Sequence, residues 1–448
     1  MDTVGLKIFL KRLFSSQLRI NMVSGTATTI ANLLVVAISY PLYLNFLGYE
    51  TYGIWLIMGT VMSFAQLGNL GIGPAVMKLV AEEHGRRNLP GIQCCVTTAS
   101  VMLCVSGIII LMALLFMNKS IVSAFKLNDR NAHVVLWLLP YIGGLSIYVF
   151  VVQIFGSALS GLGRMDLANY IQTFGGIVQL VIAGLLLLAG FGIQSLLFGS
   201  IASCLVIHAL TLISIRRIEP LHFFRFKNIN LQYGMRLISF GSNVFAGSLL
   251  NMLLSPFNKL FISRYAGVAL VPVYEIAFTG SMQVRALIES GLRSITPEIS
   301  RASADMTIYA KNKIALLYRR TVRIVFFFGI PVYAILLVLA PVLLKLWLGA
   351  RFVEALPAAF RIMLAGTFVS LISVPAYYTL LGLGRVRHIF GSHMIQSITN
   401  VLAILAVMFF LPLSIDSIVW CTSFAMAVSA IYLLYYNARA MDEIAATS

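Results

Sequence analysis

The sequence predicts an all-α polytopic membrane protein of about twelve transmembrane helices in two six-helix bundles, and three observations carry that reading. Of 448 residues, 60% are hydrophobic and only 10% are charged, with a mean hydropathy of +0.93; a soluble domain carries about 25% charged residues. The apolar residues fall in runs of roughly 20 to 28, each long enough as helix to cross a hydrocarbon core of about 30 Å. The turn Gly161-Leu162-Gly163-Arg164 recurs as Gly382-Leu383-Gly384-Arg385, about 220 residues later, as a duplicated bundle would place it.

The spans are expected near 22–47, 52–77, 92–117, 134–158, 166–190, 193–214, 237–262, 270–297, 321–347, 356–381, 387–411 and 416–437. The first is preceded by Lys7, Lys11, Arg12 and Arg19. It is longer than the 7 to 15 apolar residues of a signal sequence and has no small-x-small cleavage site, so it is read as a retained span. The organisation that follows is a cytoplasmic segment 1–21, an N-terminal bundle 22–214, a basic cytoplasmic linker 215–236, a C-terminal bundle 237–437 and a cytoplasmic tail 438–448. A second correspondence aligns Leu47-Gly48, Gly53 and Trp55 with Ala266-Gly267, Pro272 and Tyr274. Two bundles of like orientation make a parallel repeat, an architecture used by transporters.

The net charge of +17 reports topology. With the N-terminus inside, the outer segments hold only Lys119, Lys126, Arg130, Arg264 and Arg351 of the 32 lysines and arginines, and most of the rest face the cytoplasm, the asymmetry expected of an inserted chain. The cytoplasmic excess also suits anionic lipid headgroups, and no nucleic-acid partner is implied. Cys94, Cys95, Cys104, Cys204 and Cys421 all lie in apolar runs without a CxxC spacing, and the six histidines form no HExxH pattern. Neither a disulfide nor a metal site is expected.

Leu47-Gly48-Tyr49-Glu50-Thr51-Tyr52-Gly53-Ile54-Trp55, followed by Leu67-Gly68-Asn69-Leu70-Gly71-Ile72-Gly73 and Val80-Ala81-Glu82, resembles the start of the polysaccharide transport family. These are O-antigen and related lipid-linked oligosaccharide flippases of the multidrug/oligosaccharidyl-lipid/polysaccharide (MOP) superfamily. The span pattern is similar over nearly the whole chain, while the specific motif covers the first two helices and the Gly-Leu-Gly-Arg turns. The resemblance implies a MATE-like fold and a rocking, alternating-access cycle in a bacterial inner membrane. It further implies an undecaprenyl-pyrophosphate-linked glycan as substrate, with a polysaccharide polymerase and glycosyltransferases in the same pathway. No cofactor is expected beyond a proton or sodium gradient.

Charge inside a span costs about 2.5 to 3.5 kcal/mol, so such residues face a cavity or a partner. Arg285, Glu289 and Arg293 recur every four residues in the eighth span and share one helical face. They read either as a pyrophosphate site, in which Glu289 orders two arginines, or as a self-paired structural triad. Glu289 is also the candidate for ion coupling. Lys259 and Arg361 are weaker substrate-binding candidates, because each lies near a span end where a long side chain reaches the interface; Lys78 and Lys345 read as interfacial. Gly68, Gly71 and Gly73 with Pro74 follow no strand and so form no phosphate loop; close packing and a kink at Pro74 are expected instead. Tyr40, Tyr43, Trp55, Tyr274 and Phe278 suit either sugar stacking or an interfacial belt.

Two other functions compete. A MATE-type organic-cation antiporter needs a cavity carboxylate, yet no Asp or Glu lies at mid-span in the first half. A polysaccharide polymerase or ligase needs a substantial outer loop with catalytic side chains, and the outer loop near 118–133 is short. A channel would need a polar ring or filter repeat, and none is present. Topology is directly checkable: reporter fusions at Asn131 and Lys227 should report opposite sides of the membrane, and a shared side would overturn the orientation.

Overall fold

In the computed structural model, residues 16–69, 71–219, 228–290, 292, 295–305 and 308–446 are described, and their long elements are all α-helices. Lys7, Lys11, Arg12, Leu70, Arg225 and Lys227 lie outside these residues. Nine helices among the described residues are long and apolar enough to cross a membrane, so the protein is an all-helical, multi-span membrane protein.

The first two expected spans form one helix, α1 (Ser16–Ala65), broken at Gly48, whose φ of 71° and ψ of 175° are not helical. A 3-10 turn, Gln66–Asn69, then leads to α2 (Ile72–Gly85). The run expected over 52–77 therefore stops short, because hydropathy does not register a chain bend between two apolar stretches. Pro74 does not cause that bend. It sits in the first turn of α2, where its missing N–H has no helical acceptor in any case. The packing role of the glycines does hold. Ser106 Oγ donates to the Gly68 carbonyl at 2.8 Å, and the Cα of Gly71 faces the backbone of Gly241 too closely for a side chain.

The chain continues through α3 (Leu89–Phe116), α4 (Asn118–Ala124), α5 (Asp129–Gly161), α6 (Met165–Leu188), α7 (Gln194–Ile218) and α8 (Leu231–Tyr265). It ends with α9 (Val271–Ser290), α10 (Ile295–Asp305), α11 (Ile308–Leu348), α12 (Ala355–Ile372), α13 (Val374–Gly382), α14 (Val386–Phe410) and α15 (Ile415–Ala446). The seventh and eighth expected spans fall on α8 and α9, which are not among the nine helices long and apolar enough to cross a membrane. The tenth is two helices, α12 and α13, that meet at Ser373.

Two compact units emerge. The first comprises the chain to Leu47, Val61–Ser123 and Asn128–Ala246; the second comprises Gly48–Thr60, Ala124–Leu127 and the chain from Gly247. In unit 1, Val76 and Val80 of α2, Ile92 and Leu103 of α3, and Phe150, Phe155 and Leu159 of α5 form a buried core. Val105, Ile108, Ile109, Met112 and Phe116 occupy the opposite, exposed face of α3, the helical spacing of a stripe turned to lipid. The start of α8 belongs to this unit, because Arg236 donates to Glu82 at 2.9 Å and pairs with buried Glu83 at 3.5 Å. In unit 2, Asn258 donates to Tyr274 Oη and Thr422 Oγ1 at 2.8 and 2.9 Å and accepts from Asn400 at 2.7 Å. Such buried amide networks join helices where hydrocarbon offers no competing partner.

The sequence repeat is also a structural repeat. Gly163 and Gly384 have φ of 83° and 73°, a left-handed conformation that glycine enters without steric cost. Two residues earlier, Gly161 lies against Met77 and Val80 of α2, and Gly382 lies against Thr296 and Ile299 of α10, each too close to admit a side chain. Arg164 then bonds Asp166 through two parallel contacts of 3.0 and 3.1 Å, an interaction that holds its guanidinium above its ordinary pKa. Arg385 pairs with Glu443 instead. Gly48 and Gly267 also share positive φ, at 71° and 104°.

Arg361 has a specific structural task. Pro341 inside α11 has no N–H, so the carbonyl of Leu337, four residues back, loses its helical donor. Arg361 Nε of α12 donates to that oxygen at 2.7 Å, and its Nη2 donates to Val338 O at 3.2 Å. Arg361→Met should therefore destabilise the purified protein by about 1.5 to 3 kcal/mol, the range for hydrogen bonds to a charged group. In the Pro341→Ala background, where Leu337 O regains a helical donor, the loss should shrink. Thermal denaturation of the four variants measures this coupling, and equal losses in both backgrounds would refute it.

Candidate binding cavity

Phe278, Met282, Arg285, Ala286 and Glu289 follow one another along α9 at helical spacing, and together they line a cavity of about 500 Å³ within unit 2. The remaining wall is largely polar. It includes Ser255 of α8, Ser370 of α12, Ser373, Tyr377 of α13, Ser392, His393 and Gln396 of α14, and Ser429 of α15. Single polar residues on separate apolar helices thus converge once the helices pack, which is how bundle interiors build binding sites.

Arg285 Nε lies 3.4 Å from Glu289 Oε2, as the four-residue spacing anticipates. The other carboxylate oxygen, Oε1, accepts from Tyr378 Oη at 2.8 Å. Glu289 is therefore gripped from two helices, while Arg285 Nε has no partner at hydrogen-bonding geometry. His393 Nδ1 is likewise buried with no hydrogen-bond partner among the described residues, and its ring lies 6.4 Å from that of Tyr377. Buried polar atoms left in this state in a cavity wall are the groups that an occupant would satisfy. The site has a fixed anion, a guanidinium whose Nε donor is uncommitted, and a rim of hydroxyl and amide groups. Such a set binds a phosphorylated or polyhydroxylated group through charge-assisted hydrogen bonds.

The structure thus brings Arg285 and Glu289 together in a cavity, whereas Arg293 lies outside the described residues. Lys259 is absent from the lining. It sits one helical turn from Ser255 and pairs with Glu275 Oε2 at 2.7 Å, and Thr279 Oγ1 donates to Glu275 Oε1 at 3.1 Å. Arg361 is also absent from the lining and is bonded to the α11 carbonyls. Of the aromatic candidates, Tyr274 is fully buried and held by Asn258, while Phe278, stacked on it at 5.6 Å, reaches the cavity.

Sequence reading missed Glu275, Tyr378, His393 and Gln396. Glu275 was detectable as a carboxylate within the eighth expected span, at a depth matching Lys259 on the seventh. The others carry no signal, since an isolated Tyr, His or Gln in a span acquires meaning only from its neighbours on other helices.

Comparison with known proteins now adds the family. The profile of a family described as "polysaccharide biosynthesis protein" matches residues 45–357, and no curated protein sequence matches the chain. A structure described as the inward-facing conformation of a multidrug resistance MATE family transporter of the MOP superfamily aligns with a TM-score of 0.81 at 14% identity, covering 94% of this chain and 96% of that one. A MOP superfamily transporter from Pyrococcus furiosus, described as having a binding pocket of reversed polarity that suggests a different function, aligns with a TM-score of 0.64 at 14% identity over 95% and 96% of the two chains. At such identity these likenesses establish the fold alone. The protein belongs to the polysaccharide biosynthesis protein family and has the transporter fold of the MOP superfamily.

Proposed function

We propose that the protein is a flippase that carries an undecaprenyl-pyrophosphate-linked oligosaccharide, an O-antigen or similar repeat unit, from the cytoplasmic to the periplasmic leaflet of a bacterial inner membrane by alternating access. Both termini face the cytoplasm. The observation that carries the reading is the Arg285–Glu289 pair inside a hydroxyl-lined cavity of a chain from the polysaccharide biosynthesis family.

The headgroup of such a substrate is anionic and heavily hydroxylated, and it must leave water to cross. A cavity that replaces its hydration with fixed donors lowers that cost. Arg285 offers a planar fork suited to two phosphate oxygens, while Glu289, held by Tyr378, orients the guanidinium and limits the net charge that the membrane must accommodate. Arg293, four residues further along the sequence from Glu289, is proposed as a second phosphate ligand. The paired Lys259 and the carbonyl-bound Arg361 are secondary candidates. A multidrug antiporter, the rival reading, would use a cavity carboxylate to hold an organic cation. Glu289 is already committed to Arg285 and Tyr378, which disfavours that use.

Two outcomes are expected. Arg285→Ala should reduce glycan flipping more than tenfold at normal membrane levels of protein, while Arg285→Lys should retain part of the activity, because it keeps charge but loses the fork. Full export by the alanine variant would make the pair purely structural. If Glu289 also couples transport to protons, Glu289→Gln should abolish the dependence of flipping on a pH gradient in liposomes. Indifference of the wild type to proton and sodium gradients would remove coupling from the mechanism.

A further inference from the structure

Unit 1 contains a second cavity, of about 410 Å³, with a different chemistry. Its polar wall includes Asn69, Gln153, Ser157, Asn169, Gln172 and Thr211, and no charged side chain is among the described residues that line it. The amides are ordered: Asn69 Nδ2 donates to Gln153 Oε1 at 2.9 Å, and Asn169 Nδ2 donates to Ser24 Oγ at 3.1 Å. Asn69 Oδ1 is buried with no hydrogen-bond partner.

The two cavities occupy related places in the repeat. Ser157 and Gln172 in unit 1 correspond to Tyr378, the residue that holds Glu289, and His393 in unit 2, each pair separated by the same 221 residues as the two Gly-Leu-Gly-Arg turns. After duplication, one copy of the cavity carries the charged pair and the other carries amides and hydroxyls. A wall without a cation lacks the charge that favours a phosphate, and one without a carboxylate lacks the charge that favours an organic cation. Amides, which donate and accept side by side, match the vicinal hydroxyls of a sugar ring, and the volume falls within the usual range of about 300 to 1,000 Å³ for small-molecule sites. Hydrocarbon tails would leave these amides unsatisfied at considerable cost.

We infer that the unit 1 cavity is a binding site for neutral sugar rings of the glycan. This rests on the proposed function for its biological substrate, but the binding itself is measurable separately. The test is saturation-transfer NMR on the full-length protein in nanodiscs with three neutral disaccharides as probes: chitobiose, lactose and cellobiose. At least one should bind in the millimolar range. Gln172→Leu, which removes an amide from the wall, should weaken that signal at least tenfold. Ser157→Tyr, which installs the residue found at the equivalent position in unit 2 and fills space without removing an amide, should do the same. Size-exclusion profiles and melting temperatures matching wild type would show that both variants are folded, and Val105→Ala, on the exposed face of α3 and outside both cavities, should leave the signal intact. The inference is overturned if none of the three sugars binds wild type, or if both folded unit 1 variants bind as well as wild type. Loss of export in Arg285→Ala alongside either of these would leave the proposed transport intact while removing the sugar site. Sugar binding that depends on unit 1, with export unaffected by Arg285→Ala, would do the reverse.

Discussion

Hydrocarbon provides no hydrogen bonds, so every polar group that the chain carries into the membrane must find its partner within the protein. Arg361 occupies the carbonyl that Pro341 orphans, Lys259 and Glu275 neutralise each other, and Asn258 ties three helices through Tyr274, Thr422 and Asn400. Among the buried polar atoms of the described residues that have no hydrogen-bond partner, Arg285 Nε, His393 Nδ1 and Asn69 Oδ1 belong to residues lining the two cavities, while others, Thr97 Oγ1 and Ser195 Oγ among them, line neither. The same constraint that makes buried polarity costly therefore makes it informative.

Duplication gives this constraint two outlets. The glycine turns at 161–164 and 382–385 hold the same close helix contacts in each unit, because a Cβ at Gly161 or Gly382 would collide with the neighbouring helix. Such positions tolerate little change. The cavity walls are not bound in that way, since side chains facing a void can be exchanged without repacking a core. Gln172 and His393 occupy corresponding positions with unlike chemistry, as do Ser157 and Tyr378. The scaffold is thus preserved by packing while the sites diverge, the condition under which two copies of one bundle can take different parts of a single substrate.

Several elements were legible in the sequence because they are local. Length and hydropathy define most spans, the lysine and arginine distribution sets an expected orientation, and a four-residue interval places Arg285 against Glu289. Local reading failed where the physics was not local. The bend at 66–71 lies between two apolar stretches and leaves no trace in hydropathy, and Pro74 drew attention that belonged to the turn before it. Arg361 reads as lying near a span end, and no side-chain pattern reveals that it bonds the backbone carbonyls of Leu337 and Val338.

By itself, the sequence determined that this chain is helical, membrane-spanning and duplicated, since those properties follow from average polarity and from repeated words. The tertiary structure decided which polar residues are already satisfied and which still have bonding capacity. It joined Tyr378 to Glu289 across 89 positions of sequence, set His393 and five serines in the cavity wall with Arg285, and gathered four amides into an uncharged pocket. Helix packing made those decisions. Whether a polar side chain in a span meets lipid, a partner or a cavity depends on the face its helix turns to its neighbours, and that face is fixed by contacts among residues far apart in the chain.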